Sequence, residues 1–435
     1  MSGIIVSKYG GSSITSKRDI ERIGEITTDD PKRKIVVVSA PGKRCENDTK
    51  VTDLLIELAI TKNQDIFNEI LGRYRELNPG KEHKELSDIL NQRISQQLPE
   101  DAYIDSIKAF GEEACAKLVA QALNAEYVDP REIILVSDDF GNAKILGKSE
   151  QKIKKLAEKR GILVIPGFYG LTRQRQVATF SRGGSDLTGA YIAASLNAET
   201  YENFTDRDGI LAADPCMVKD PAKILEITYK EMRDLSYSGF KIFHSEAMEP
   251  VMVKKIPVHV RNTSKYPAEG TYIVHDRISN PEKPIIGVAY QDGFCSFDIE
   301  RFGLNEEIGI ARKVLHTFEK EGISIEFMPS AIDDISVILK QNQLKNPGSI
   351  ISRLYSLMGK GSTVTFQENL GCLVVAGKGL RGRRGVSADI QMTLAGAGVN
   401  IKFISQASQE QCIVYGISSS DGKKSVNVVY DRYLR

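Results

Sequence analysis

The sequence predicts an α/β protein built on a parallel sheet, with a second and smaller α/β part after about residue 285. Three observations carry this. Over the first 280 residues, short apolar runs alternate with segments of helical periodicity, the pattern of a parallel sheet with crossover helices. Glycines and polar residues gather at the ends of those runs, where ligands bind in such sheets. Beyond residue 285 a strand–helix–strand–strand pattern occurs twice, which is an internal repeat.

The chain has 435 residues, enough for two or three domains. Its formal net charge is +1, so bulk electrostatics do not point to nucleic acid. Apolar residues make up 41%, which suits a packed soluble protein. No stretch is long and apolar enough to span a bilayer, so no membrane partner is expected. The opening MSGIIVSKYGG reads as a strand and is too short in its apolar run for a signal peptide. Six scattered cysteines never form C-x-x-C, as reduced thiols in a cytoplasmic protein would be. The five histidines are dispersed, so no metal site is expected.

The first strand covers Gly3 to Tyr9 and carries Lys8 near its end, before Gly10, Gly11, Ser12 and Ser13. Ile14, Ile20, Ile23 and Ile26 follow at helical spacing. A lysine beside a glycine turn reaches a phosphate as a point charge. There is no G-x-x-x-x-G-K-[ST] loop, and a solvated lysine after a buried strand fits this stretch equally well. Lys34 to Ala40 (KIVVVSA) reads as a strand buried on both faces, ending at Ser39 before Pro41 and Gly42. A helix is expected over Asn47 to Ala59, with Thr52 near its first turn. From there to Ala125 the chain reads mainly helical, interrupted at Gly111–Glu112, and Glu112 is expected on a solvated face.

Ile133–Val136, Ile162–Pro166 and Glu202–Thr205 read as further apolar strands, alternating with helices at Glu150–Lys159 and Leu187–Leu196. The stretch Ala178 to Leu196 (ATFSRGGSDLTGAYIAASL) is central. It reads as a strand, a Gly183–Gly184 turn and a helix N-capped at Ser185 and Asp186. Leu187, Ala190, Tyr191, Ala194 and Leu196 are expected on one helix face. Backbone N–H groups at such a turn, with the helix dipole behind them, form an anion site. Arg182 suits bidentate contact with a carboxylate, and Asp186 suits an orienting role on a metal or a reacting group. In TDRDGILAADP, aspartates 206, 208 and 214 fit contacts to a ribose, a base or Mg²⁺, or ordinary turn chemistry. Ser236 to His244 (SYSGFKIFH) places Gly239 and Lys241 before a helix, and a strand follows at Pro257–Arg261.

In the second part, Phe297–Glu300, a helix at Ile308–Glu321, Ile323–Met328 and Ile335–Leu339 form one copy of the repeat. Cys372–Ala376, a helix at Val386–Ala397, Asn400–Ser405 and Gln411–Ile417 form the other. Gly377, Gly379 and Gly382 spell G-x-G-x-x-G, but the next strand ends in Gln406 where a dinucleotide site wants an acid. A structural turn is expected there.

KYGGSSI, VVVSA, FGE (110–112), TFSRGGSDLTGA, TDRDGILAADP and GFKIFH follow one another in the order and spacing of the aspartokinases. The chain resembles these members of the amino-acid kinase superfamily from residue 3 to its end. The resemblance implies an amino-acid-kinase-type parallel-sheet sandwich with a helical lobe over residues 1–280. It further implies a regulatory region over 285–435 with two ferredoxin-like βαββαβ ACT domains, at about 294–365 and about 366–435. Strand 285–291 would belong to the second of these.

By the same resemblance the activity is phosphoryl transfer from ATP, with Mg²⁺, to the side-chain carboxylate of L-aspartate. Lys8 matches the lysine that neutralises the transferring phosphoryl group, and Asp186 the aspartate that orients it. Arg182 matches the ligand of the substrate α-carboxylate, and Glu112 the group that meets its amino group. Ser39, Thr52 and Ser185 match the aspartate site. Gly10, Gly11, Ser12 and Gly183 match phosphate contacts, and Thr205, Asp206, Asp214 and Lys241 match nucleotide contacts. Gly309, Ile310, Ala311, Ser324, Glu326 and Ser330 match the lining of an amino-acid effector site.

Glu326 or the Asp333–Asp334 pair would meet a cationic side chain, which favours lysine as inhibitor, with threonine the alternative. Pairing through the ACT domains implies a homodimer or a higher homo-oligomer. The chain departs from the family pattern at Ser181, Leu211, Cys216 and Ser245. An alternative reading of a different class is a catalytically weak, amino-acid-binding regulatory chain.

Overall fold

A computed structural model describes residues 3–78, 83–181, 183–237 and 245–435. They form two compact units. The first holds the described residues of Met1–Ile210, Leu225–Tyr229 and Ile242–Arg277; the second holds those of Leu211–Ile224, Lys230–Lys241 and Ile278–Arg435.

The first unit is built on an eight-stranded sheet. Its strands include β1 (Ile5–Tyr9), β2 (Arg33–Val38), β3 (Glu126–Tyr127) and β4 (Leu163–Pro166). A hairpin of β5 (Tyr169–Leu171) and β6 (Val177–Thr179) stands apart, before β7 (Thr200–Thr205). The spatial order is Glu226–Thr228, Thr271–Val274, Val258–Asn262, β7, β1, β2, β4, β3. All neighbours run parallel except Val258–Asn262 against Thr271–Val274. β1 and β2 are buried on both faces, which is why they read as nearly continuous apolar runs.

The helices are α1 (Lys17–Asp29), α2 (Val51–Thr61), α3 (Gln64–Leu77), α4 (Lys84–Ile94), α5 (Glu100–Ala122), α6 (Pro130–Ile133), α7 (Lys148–Lys154) and α8 (Gly184–Leu196). α1 opens with a capping box: Ser16 Oγ accepts from Asp19 N, and the Asp19 carboxylate accepts from Ser16 N. Its Ile20, Ile23 and Ile26 join Leu55, Tyr74, Phe110 and Val119 of α2, α3 and α5 in one core.

Several sequence expectations change here. Ile133–Val136 is not a strand: Asp129 caps the short α6 with Pro130 at its first position, and Leu135 and Val136 make only isolated bridges. The helix expected from Asn47 begins at Val51. α5 runs unbroken through Gly111–Glu112, because Gly111 is where the helix meets Ala40 and Leu55 at close range. Ala178–Phe180 belongs to the small hairpin rather than to the main sheet. The run Glu202–Thr205 is not apolar. Glu202 is buried because Arg33 pairs with it twice (Nε–Oε2 2.7 Å, Nη2–Oε1 2.9 Å) while Ser7 Oγ donates to Oε2.

α8 is buried nearly all round, not on one face. Its deepest residues are small (Gly184, Gly189, Ala190, Ala193, Ser195), whereas Leu187, Tyr191 and Leu196 are half-buried. Small side chains let the helix lie close to its neighbours: a Cβ on Gly189 would stand 2.7 Å from the Tyr201 ring.

The second unit carries a five-stranded sheet in the order Asp334–Lys340, Gly287–Glu300, Thr363–Ala376, Cys412–Ser418, Ile401–Gln406, antiparallel throughout. The expected separate strands near 285–290 and 297–300 are one strand, Gly287–Glu300, irregular between Gln291 and Phe294. Cys372–Ala376 is likewise the end of the longer Thr363–Ala376. Ile323–Met328 forms no strand, only isolated bridges at Phe327 and Ser330.

The helices of this unit include Ile310–Lys320, Pro347–Met358, Val386–Gly396 and Gly422–Tyr433. Val314, Phe318, Ile350 and Leu354 bury against Phe297, Val337 and Leu339. The G-x-G-x-x-G loop is a structural turn. Cβ atoms at Gly377 and Gly379 would strike the backbone of Pro284, and Lys378 N already donates to the Glu231 carboxylate. No described helix is long and apolar enough to cross a membrane.

Candidate active site

Four strand ends and one helix start define the site. β1 ends in Lys8 and Tyr9, and the chain turns through Gly10 into a 3-10 turn at Gly11–Ser13. The end of β2 is tied to it: Ser39 N donates to Tyr9 O, and Gly42 N donates to Gly11 O at 2.8 Å. A Cβ on Gly11 would sit 2.7 Å from Ala40 O, so only glycine lets these two backbones approach. Gly10 N donates to Phe204 O, which ties the turn to the end of β7. Gly10, Gly11, Ser12 and Ser39 are thereby brought together beside Lys8.

α8 supplies the opposing group. Its N-cap is Gly183 (φ 80°), not Ser185 or Asp186, which stand at the second and third helical positions. The left-handed backbone at this cap favours glycine, which explains the second glycine motif. Asp186 lies in the first turn, where a carboxylate is favoured by the helix dipole. Its Oδ1 is 2.6 Å from Lys8 Nζ, and both side chains are largely buried. Ser185 packs against the end of β4, because Gly167 has no Cβ to strike it. Arg182 lies outside the described residues. β6 is anchored from α5: the Asp105 carboxylate accepts from Thr179 N, Thr179 Oγ1 and Gly141 N.

Glu112 corrects the sequence expectation most clearly. It is 4% exposed rather than solvated. Oε1 accepts from Ala40 N at 3.1 Å, and Oε2 is buried with no partner. Burial pushes its carboxyl up to about 8, against the opposing pull of the Ala40 amide and Lys108. A buried carboxyl oxygen left without a partner next to Ser39–Ala40 is costly unless a ligand meets it. Thr52 is half-buried in the first turn of α2, one turn before Leu55, which packs at Gly111.

Thr205 and Asp206 follow β7, with Thr205 Oγ1 donating to the Asp206 carboxylate. Asp214, in the second unit, caps its own turn by accepting from Cys216 N. Lys241, with the rest of GFKIFH, lies outside the described residues.

Sequence reading missed Asn203 on β7, whose Nδ2 donates to Asp186 Oδ1 at 2.8 Å. A signal was present: asparagine is depleted in strands, and one inside a buried strand calls for a partner.

In the second unit, Gly309 (φ 81°) N-caps the helix that begins with Ile310 and Ala311. Ser324 and Ser330 are exposed. Glu326 N donates to Ile338 O, and its side chain is buried with Lys340 Nζ 3.9 Å away. Burial raises its carboxyl above the ordinary range. Asp333 is committed to a distant loop, accepting from Gly303 N at 2.8 Å.

A lysine and a glycine turn at the end of a central parallel strand, facing a carboxylate in the first turn of a glycine-capped helix, make the site of a phosphoryl-transferring kinase. The amino acid kinase family model matches residues 3–262, and an ACT domain model matches residues 373–433. Aspartokinase 3 of Bacillus subtilis is 38% identical, over 99% of this chain and 98% of its own length. The crystal structure of Clostridium acetobutylicum aspartate kinase superposes with a TM-score of 0.88 at 33% identity, covering 99% of this chain and 100% of that one. Escherichia coli aspartokinase III, solved with aspartate and ADP, shares the fold at a TM-score of 0.75 and 21% identity, over 99% and 100% of the two chains. The same protein with lysine and aspartate gives 0.74 at 20% identity, over the same shares. This chain belongs to the amino acid kinase family and, within it, to the aspartokinases; it is an aspartate kinase.

Proposed function

We propose that the enzyme transfers the γ-phosphoryl group of ATP, taken as its Mg²⁺ complex, to the side-chain carboxylate of L-aspartate. The product is 4-phospho-L-aspartate, the first intermediate of the aspartate family of amino acids. The observation that carries this reading is the buried Lys8–Asp186 pair, set between the glycine turn after β1 and the glycine-capped start of α8. Phosphoryl transfer depends on positioning and charge neutralisation more than on covalent chemistry. Lys8 neutralises the transferring group, and Asp186 orients Lys8. Gly10 N is held by Phe204 O, so Gly10 shapes the turn, and the amides of Gly11, Ser12 and Gly183 meet the phosphates.

The substrate carboxylate is already ionised at neutral pH, so no strong general base is required. Arg182 takes the aspartate α-carboxylate, Glu112 takes its ammonium group, and Ser39, Thr52 and Ser185 line the pocket between them. Thr205, Asp206, Asp214 and Lys241 contact the nucleotide.

Lysine is the proposed feedback inhibitor, bound by Gly309, Ile310, Ala311, Ser324, Glu326 and Ser330, with Glu326 meeting its side-chain ammonium. Two observations support this: the buried carboxyl of Glu326, and the lysine complex of the Escherichia coli protein. A homodimer or higher homo-oligomer through the ACT region is supported by apolar side chains left in solvent there: Phe302 (93% exposed), Ile308 (98%) and Ile332 (69%). Scattered free thiols support a cytoplasmic location.

The test is ATP turnover with Mg²⁺ and L-aspartate, trapping the acyl phosphate with hydroxylamine, with and without lysine or threonine. Aspartate-dependent hydroxamate suppressed by lysine is expected. No hydroxamate, with amino-acid binding retained, would instead assign the chain a regulatory role.

A further inference from the structure

We propose that Asn203 is a positioning residue for phosphoryl transfer, fixing the Asp186 carboxylate on Lys8 without adding charge to the site. The inference rests on the roles of Lys8 and Asp186 given above.

Asn203 is 1% exposed and sits in β7 directly across from Lys8 in the parallel register. Alternation along β7 puts Tyr201 and Asn203 on one face and Glu202 on the other. Tyr201 and Asn203 both reach the first turn of α8 but do different things there. Tyr201 Oη donates to the backbone carbonyl of Asp186 at 3.2 Å, which holds the helix. Asn203 Nδ2 donates to the side-chain oxygen Oδ1 at 2.8 Å, which holds only the carboxylate.

Lys8 meets that same oxygen at 2.6 Å. Two donors on Oδ1 fix the rotation of the carboxylate. The amide also shares the negative charge of Oδ1, so Lys8 is not fully neutralised by Asp186 and keeps positive charge for the phosphoryl group. A charged donor at position 203 would compete with Lys8, and an apolar residue would leave the carboxylate free to turn.

The charged and titratable groups around position 203 are Lys8 on β1, Asp186 on α8 and the Tyr201 phenol; the partner on the other side, Val260, is apolar. Asn203→Leu and Asn203→Asp are compared with wild type and with Lys8→Ala. In Asn203→Leu, kcat is expected to fall by about 10-fold or more, the scale of a lost preorganised donor, while the KM values for ATP and aspartate change by less than about 3-fold. Asn203→Asp keeps the shape but sets a second carboxylate beside Asp186. The two then share a proton, so the acid limb of the kcat–pH profile moves to higher pH.

Both results together support the role. Wild-type kcat in Asn203→Leu, or an unmoved acid limb in Asn203→Asp, overturns it while leaving the assignments of Lys8 and Asp186 intact. Wild-type kcat in Lys8→Ala overturns those assignments and this inference with them. If Asn203→Leu fails to fold, the pH profile of the isosteric Asn203→Asp decides alone.

Discussion

Lys8 Nζ and Asp186 Oδ1 lie 2.6 Å apart, although 178 residues separate them in the chain. One ends the central strand of a parallel sheet and the other sits in the first turn of a helix capped by a left-handed glycine. Replacing Lys8 with Ala removes the charge proposed to neutralise the transferring group. Turnover should fall on the order of 10²–10³-fold, as when one transition-state partner is lost, with the fold retained. Steady-state kinetics beside a circular dichroism spectrum check this.

Glu112, proposed to take the substrate ammonium group, should make aspartate recognition depend on pH. Its carboxyl is pushed up to about 8 by burial, so in the free enzyme it is mostly neutral at pH 7. An ammonium group is bound by the carboxylate form, and binding at pH 7 therefore releases a proton. The kcat/KM for aspartate should rise as pH increases from 6.5 through 8, since this parameter reports the free enzyme. Glu112→Gln should raise the aspartate KM by about 10-fold or more, as expected for a lost charged partner, and flatten that slope.

His259 sets a stability limit on the acid side. It is buried in the strand Val258–Asn262 and stacked on Tyr272 at 3.8 Å. Burial, and then Arg261, hold its imidazole down at about 4 from 6.5. The folded state keeps it neutral while the unfolded chain protonates it, so stability is lost as pH falls from about 6.5 towards 4. Melting temperature should drop across that window, and His259→Phe should reduce the drop. Differential scanning calorimetry at pH 7, 6 and 5 checks both.

Asp105 is expected to be a structural anchor of β6. Removing its carboxylate orphans the buried N–H of Thr179 and the half-buried N–H of Gly141 and strands Lys108, 2.7 Å away. Asp105→Ala should cost about 2 kcal/mol, chiefly from the unsatisfied Thr179 donor. Because β6 lies three residues before Arg182 in the chain, the aspartate KM should rise more than the ATP KM.

Much of this was legible in the chain itself. Apolar runs at β1, β2 and β4 revealed strands buried on both faces, and the glycine pairs after β1 and before α8 marked places where the backbone turns tightly. These are local properties, and local periodicity and turn chemistry report them. The family resemblance rested on the same motifs.

The tertiary structure decided what each polar residue meets. Glu112 lies in a helix whose sequence does not reveal which faces are covered, and only the close approach of Gly111 to Ala40 shows that its side chain is buried. Glu202 and Asn203 interrupt a strand in sequence. Their burial depends on Arg33 and on Asp186, partners 169 and 17 residues away. Pro130, with its cap at Asp129, starts a short helix that takes in Ile133 and leaves only isolated bridges for the rest of the apolar run, a competition that composition alone does not resolve. The sequence determined the elements and the family because those follow from neighbours along the chain; charge state and pairing in the site depend on neighbours in space, and only packing supplies them.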